Sequence, residues 1–111
     1  MNLINTTCRL FYCFYRLEHL DFSRNQINQI KTDSFSDNHD LVVLNISHNK
    51  LGSLSKDDLH GLSSLATLGL ADNELDTLGS DVFGFCGQLR TLDLSGNKIY
   101  HLEGDTFRGV R

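Results

Sequence analysis

Histidine, cysteine and carboxylate side chains carry most acid–base, nucleophilic and metal chemistry in proteins, and this 111-residue chain has five, three and fourteen of them. Their spacing assembles no reaction centre. His19, His39, His48, His60 and His101 stand in unrelated contexts, and the chain holds no HExxH, no GxSxG, no phosphate-cradling glycine loop and no CxxC pair. The sequence therefore predicts a protein that is not an enzyme and uses no cofactor or metal. One oxygen set is regular: Asp33, Asp57, Asp81 and Asp105 recur every 24 residues. A calcium ladder needs further oxygen donors beside each carboxylate, and none recurs there. The aspartates read instead as caps that accept from free amides at the start of short helical turns. His48 and Asp72, also 24 residues apart, are placed to meet as a solvated cross-strand pair. Two sequons, at Asn5 and Asn45, are N-glycan acceptors if the chain enters a secretory route.

The same 24-residue interval governs the elements that must hold these groups. The blocks LEHLDFSRNQI, LVVLNISHNKL, LATLGLADNEL and LRTLDLSGNKI begin at Leu17, Leu41, Leu65 and Leu89. Counting from each first Leu, position 4 is Leu20, Leu44, Leu68 or Leu92, and position 6 is Phe22, Ile46, Leu70 or Leu94. Positions 11, 14 and 19 are apolar in every repeat, ending with Ile99, Leu102 and Phe107. Alternation of apolar with polar or small residues around positions 4 to 6 suits a short strand with one face inward. It predicts parallel strands near Leu20–Phe22, Leu44–Ile46, Leu68–Leu70 and Leu92–Leu94. Position 9 is always Asn (Asn25, Asn49, Asn73, Asn97), where the chain leaves the strand. Its amide can donate to and accept from the backbone there, and each unpaired buried group would cost about 1–3 kcal/mol. The four asparagines are thus expected to form a structural ladder.

The consensus LxxLxLxxNxL resembles that of leucine-rich repeat proteins. The resemblance implies an α/β solenoid, a horseshoe segment with a parallel β-sheet on its concave face and short helical turns or loops on its convex face. The 24-residue length, with Phe near the end of the repeat, is similar to the "typical" subfamily of animal extracellular proteins, which includes Toll and Toll-like receptors and Slit-like proteins. One departure is clear, because Lys31, Ser55, Gly79 and Glu103 stand where that subfamily often has proline. The resemblance implies an extracellular or cell-surface ectodomain of an innate immune receptor or adhesion protein, with a protein ligand or co-receptor as partner.

Length and composition agree with one repeat domain. Residues 1–16 read as a degenerate half-repeat, followed by four repeats over 17–40, 41–64, 65–88 and 89–111 with no C-terminal cap. A fragment of a longer protein is therefore expected, with self-association through uncapped ends. The net charge is −4 and the ten basic residues are dispersed, which argues against nucleic acid and against contact of this segment with an anionic membrane. No apolar run reaches transmembrane length, and LFYCFY lacks the cleavage site of a signal peptide. Cys86 shares its column with Phe14, Asn38, Leu62 and Val110 and reads as a packed thiol. Cys8 and Cys13 would pair in a secreted protein and stay free in a cytosolic one.

The outward strand positions define the candidate concave face: Glu18, His19, Asp21 and Arg24 in the first repeat; Val42, Val43, Asn45 and His48 in the second; Asp72 in the third; Arg90 and Asp93 in the fourth. Arg24 and Arg90 are the anchor candidates, since a guanidinium grips a partner carboxylate bidentately. Val42 and Val43 supply a small apolar centre. A glycan on Asn45 would lie on this face and move docking to a flank or to neighbouring repeats. Protein binding is the function these residues favour. The rivals are a structural spacer within an ectodomain and a cytosolic repeat scaffold.

Overall fold

The computed structural model describes residues 17–108, so Asn5, Cys8, Cys13 and Val110 lie outside the described residues. Four three-residue strands, β1 (His19–Asp21), β2 (Val43–Asn45), β4 (Thr67–Gly69) and β6 (Thr91–Asp93), form one parallel sheet in that spatial order. Leu20, Leu44, Leu68 and Leu92 stand in register across it. The strands begin one residue earlier than the apolar pattern alone suggests. Pairing starts at position 3 because one carbonyl serves two amides there: Val42 accepts from Ala66 at 2.8 Å and from Thr67 at 3.0 Å. The ladder still runs through position 6, where the Phe22, Ile46 and Leu70 amides donate to Asn45, Gly69 and Asp93 carbonyls.

The inward residues pack into one core that includes Leu44, Leu68, Ile46, Leu70, Phe35 and Phe83. Each such side chain contributes about 1.5–3 kcal/mol when fully buried, and none has anything to bury against inside its own repeat. A second parallel sheet lies beyond the strands that the apolar alternation predicts. β3 (Ser53–Leu54) pairs with β5 (Thr77–Leu78), and Thr77 bridges on to His101. Position 14 drives it: Leu54 and Leu78 enter the core while the serine and threonine before them remain more exposed. Burial pushes the Cys86 thiol up to about 11, so it stays protonated at neutral pH as a packed apolar group.

The turns after the core strands depart from the capping expectation. The one helical turn among the described residues is a 3₁₀ helix at Lys56–Leu59, which contains Asp57 rather than starting from it. Ser55 occupies the cap, and its amide donates to the Asp58 carboxylate at 3.0 Å. Asp33 and Asp81 instead adopt left-handed backbone, with φ of 65° and 53°, a conformation short polar side chains tolerate. The aspartate column ties repeats together sideways. Lys56 Nζ lies 3.0 Å from Asp81 Oδ2, and Ser80 Oγ donates to Asp105 Oδ2 at 2.7 Å. Asp33 Oδ1 meets His60 Nδ1 at 2.9 Å, and His60 and Lys56 both rest against the Phe85 ring. The Ser80 bond holds the Asp105 carboxyl below its usual range. The cap therefore belongs to another residue than the register suggests. Asp58→Ala is expected to cost about 0.5–1 kcal/mol and Asp57→Ala close to nothing; denaturant titration of the two variants checks the order.

Coverage falls off along the solenoid. Leu78 and Phe83 are 2% and 0% exposed, whereas their counterparts one repeat on, Leu102 and Phe107, are 46% and 44% exposed. Phe107 stacks on Phe83 at 5.8 Å between ring centroids. At the other side Leu17, Leu20 and Phe22 are half-buried.

Candidate binding face

Each interior asparagine fastens two repeats at once. Asn73 Oδ1 accepts the Leu51 amide of the previous repeat at 3.0 Å, while its Nδ2 donates to the Ile46 carbonyl of that repeat and to Leu70 and Ala71 of its own. Asn49 does the same with Ile27, Phe22, Ile46 and Ser47. Asn97 repeats the pattern with Leu75, Leu70, Leu94 and Ser95. Asn49 and Asn73 are buried, and Asn97 is half-buried. Asn25 is exposed and bonds only the Phe22 and Ser23 carbonyls of its own repeat among the described residues.

The residue just before each asparagine makes the bend. Arg24, His48, Asp72 and Gly96 all have positive φ, between 55° and 71°, so position 8 belongs to the turn and not to the strand face assigned to it above. Its side chains line the rim. His48 Nδ1 and Asp72 Oδ2 do meet there, 3.3 Å apart with both side chains about half exposed. A β-carbon at Gly96 would run into the Asp72 carboxylate, which keeps that end of the rim low.

On the strands, His19, Asp21 and Asp93 are exposed and Val43 and Asn45 half-buried; of the residues just before the strands, Glu18 and Arg90 are exposed and Val42 is half-buried. The face thus has a shallow centre over β2 and β4 and charged groups over β1 and β6. A second regularity runs along it. Asp21, Asn45 and Asp93 each accept the amide of the serine two residues later, at 2.8–3.0 Å, and Ser95 Oγ adds a bond to Asp93 at 2.6 Å. The recurrent Asp/Asn-x-Ser triplet is the signal for these Asx turns, and the sequence reading passed over it. Ser23 and Ser95 hold the Asp21 and Asp93 carboxyls below the usual carboxylate range. A carboxyl whose folded value is depressed stabilises the fold above its unfolded value, and that contribution disappears as pH falls through about 4 and below.

A second concavity lies along the small sheet. A groove of about 840 Å³ crosses all four repeats, past Ile30, Leu54 and Leu78, with Ser53, Thr77 and His101 on its walls. Nothing in the sequence reading separated this flank from the rest of the turns. Among the described residues no group of three or more His, Cys, Asp or Glu is arranged to hold a metal ion, and no helix is long and apolar enough to cross a membrane.

Strand–turn units stacked in parallel, with an asparagine ladder at one edge and a variable row of outward side chains, define a leucine-rich repeat solenoid. The leucine rich repeat family model matches residues 15–75 and 63–111, and the chain belongs to that family. No curated protein sequence matches it. Among solved structures, the Drosophila Toll–Spatzle complex, described as a hub in development and innate immunity, is similar with a TM-score of 0.84 and 28% identity, over 92% of this chain and 14% of that one. The crystal structure of a TLR13–ssRNA13 complex is similar with a TM-score of 0.81 and 29% identity, over 85% of this chain and 13% of that one. The chain therefore spans about one-seventh of the length of these receptors. One was solved with Spatzle and the other with an RNA, so the fold alone does not choose the partner's class.

Proposed function

We propose that this chain is a non-catalytic, protein-binding leucine-rich repeat segment of an extracellular receptor or adhesion ectodomain, and that its partner docks on the concave face. The observation that carries the reading is the division of labour along each strand. Inward positions and the asparagine ladder are committed to the frame, while the outward side chains on and just before β1 and β6, which include Glu18, Asp21, Arg90 and Asp93, are exposed. Arg90, just before β6, is the anchor on the face and Arg24, in the turn after β1, the anchor at its rim, each offering a fork to a partner carboxylate. The likeness to Toll in its complex with Spatzle supports a protein partner. A single-stranded RNA is the second reading, favoured by the likeness to TLR13; the net charge of −4 weighs against it.

With a cell-surface partner captured by cross-linking and then purified, Arg24→Ala and Arg90→Ala are expected to weaken binding about tenfold each, corresponding to about 1.4 kcal/mol. Lys50→Ala and Lys98→Ala, on exposed residues of the turns, should leave it unchanged. Equal effects at all four sites would sink concave docking, and a steep loss of binding with salt to a purified RNA would favour the second reading.

A further inference from the structure

The geometry points to Asn45 as an N-glycan attachment site set in the binding face itself, an inference that rests on the extracellular reading above. Asn45 heads the sequon Asn45-Ile46-Ser47 and ends β2, at the middle of the sheet. Its Oδ1 accepts the Ser47 amide at 3.0 Å, which fixes the side chain. Its Nδ2, the atom that would carry the sugar, makes no hydrogen bond among the described residues. The residue beside it across the sheet is Gly69. A β-carbon on Gly69 would sit 2.7 Å from Asn45 Oδ1, so the amide leans into room that any other residue would fill. The equivalent positions on β1 and β6 are Asp21 and Asp93, carboxylates that cannot take a glycan.

The donor is a lipid-linked oligosaccharide pyrophosphate of the secretory pathway. The bond from Asn45 Nδ2 to the sugar C1 forms as the bond from C1 to the phosphate oxygen breaks; Nδ2 gives up one proton and the lipid pyrophosphate leaves. A glycan seated there covers the half-buried centre at Val43 and Thr67. It leaves the two edges of the face open, with Asp21 and Arg24 at the β1 side and Arg90 and Asp93 at the β6 side.

The test directs the full 111-residue chain into the secretory pathway of an animal cell line with a cleavable leader, using the Asn5 sequon as an internal acceptor. Amide-cleaving deglycosylation followed by peptide mapping reads each site as Asn or as the Asp it leaves. The expected result is an occupied Asn45 in most secreted molecules, with Asn45→Gln losing one glycan step in gel mobility and Asn5→Gln retaining it. Secreted protein with an unmodified Asn45 overturns the site, whether or not Asn5 is occupied. Finding the native chain in the cytosol while Asn45 is occupied on forced secretion overturns the extracellular reading and leaves the acceptor geometry standing.

Discussion

Asn73→Ala is expected to destabilise the protein by about 2–3 kcal/mol, and Asn49→Ala by the same amount. In each case a buried backbone amide of the preceding repeat, Leu51 or Ile27, loses its acceptor. The carbonyls are partly insured, because Ile46 accepts from both Asn49 and Asn73, and Leu70 from both Asn73 and Asn97. The orphaned amide is therefore the main cost. Asn97→Ala should cost less, since its site is half-buried and water can reach the Leu75 amide. Asn25→Ala should cost least, since Asn25 is exposed and accepts no inter-repeat amide among the described residues. Denaturant midpoints for the four variants test the order; equal losses at Asn25 and Asn73 would contradict the ladder.

Gly61→Ala should cost on the order of 2–6 kcal/mol, as much as a large-to-small change in the core, although it adds only one methyl group. Two effects add. Gly61 has φ of 99°, a conformation that strains any L side chain by about 1–3 kcal/mol. A β-carbon there would also lie 2.6 Å from the Cα and carbonyl oxygen of Ser36, a backbone contact that cannot relax by a rotamer change and adds overpacking of about 1–3 kcal/mol. Gly87→Ala is the control, because a β-carbon there meets nothing within 4 Å. A thermal melt of Gly61→Ala indistinguishable from that of Gly87→Ala would show that the turns of the first two repeats do not touch.

These two sites also mark how much the sequence discloses. Asn25, Asn49, Asn73 and Asn97 stand at one register, and so do the leucines of the sheet, because every repeat solves the same burial problem with the same residue; period alone exposes them. Gly61 stands in no such uniform column. Its register partners are Asp37, Phe85 and Gly109, a set too mixed to flag it. The aspartate column shows the reverse limit, a true period with the wrong reading. Asp81 and Asp105 face donors in the preceding repeat, and a rule about local capping cannot see a neighbour 25 residues away. Asn38 is a third kind of case. The register places it in the inward column with Leu62 and Cys86, and it is fully buried there with neither side-chain polar atom hydrogen-bonded.

On the candidate face, the 24-residue interval sets His48 beside Asp72, and the two meet at 3.3 Å. The sequence misassigns position 8 to the strand, because positive φ is a backbone property that Arg24 and His48 do not advertise as glycine does at Gly96. The groove along β3 and β5 is hidden for a different reason. Two-residue strands carry too little alternation to register as strands at all.

The central claim is that the frame is held by inward residues while recognition belongs to the outward row of the large sheet. Site-specific photo-crosslinking with the purified partner tests it most directly, with the crosslinker placed in turn at Arg90 on the concave face, at Thr77 in the flank groove and at Gln88 on the outer turns. Efficient capture from position 90, with little from 77 and none from 88, is the predicted result. Capture concentrated at position 77, with position 90 silent in a folded protein, would contradict it and move the binding site to the groove.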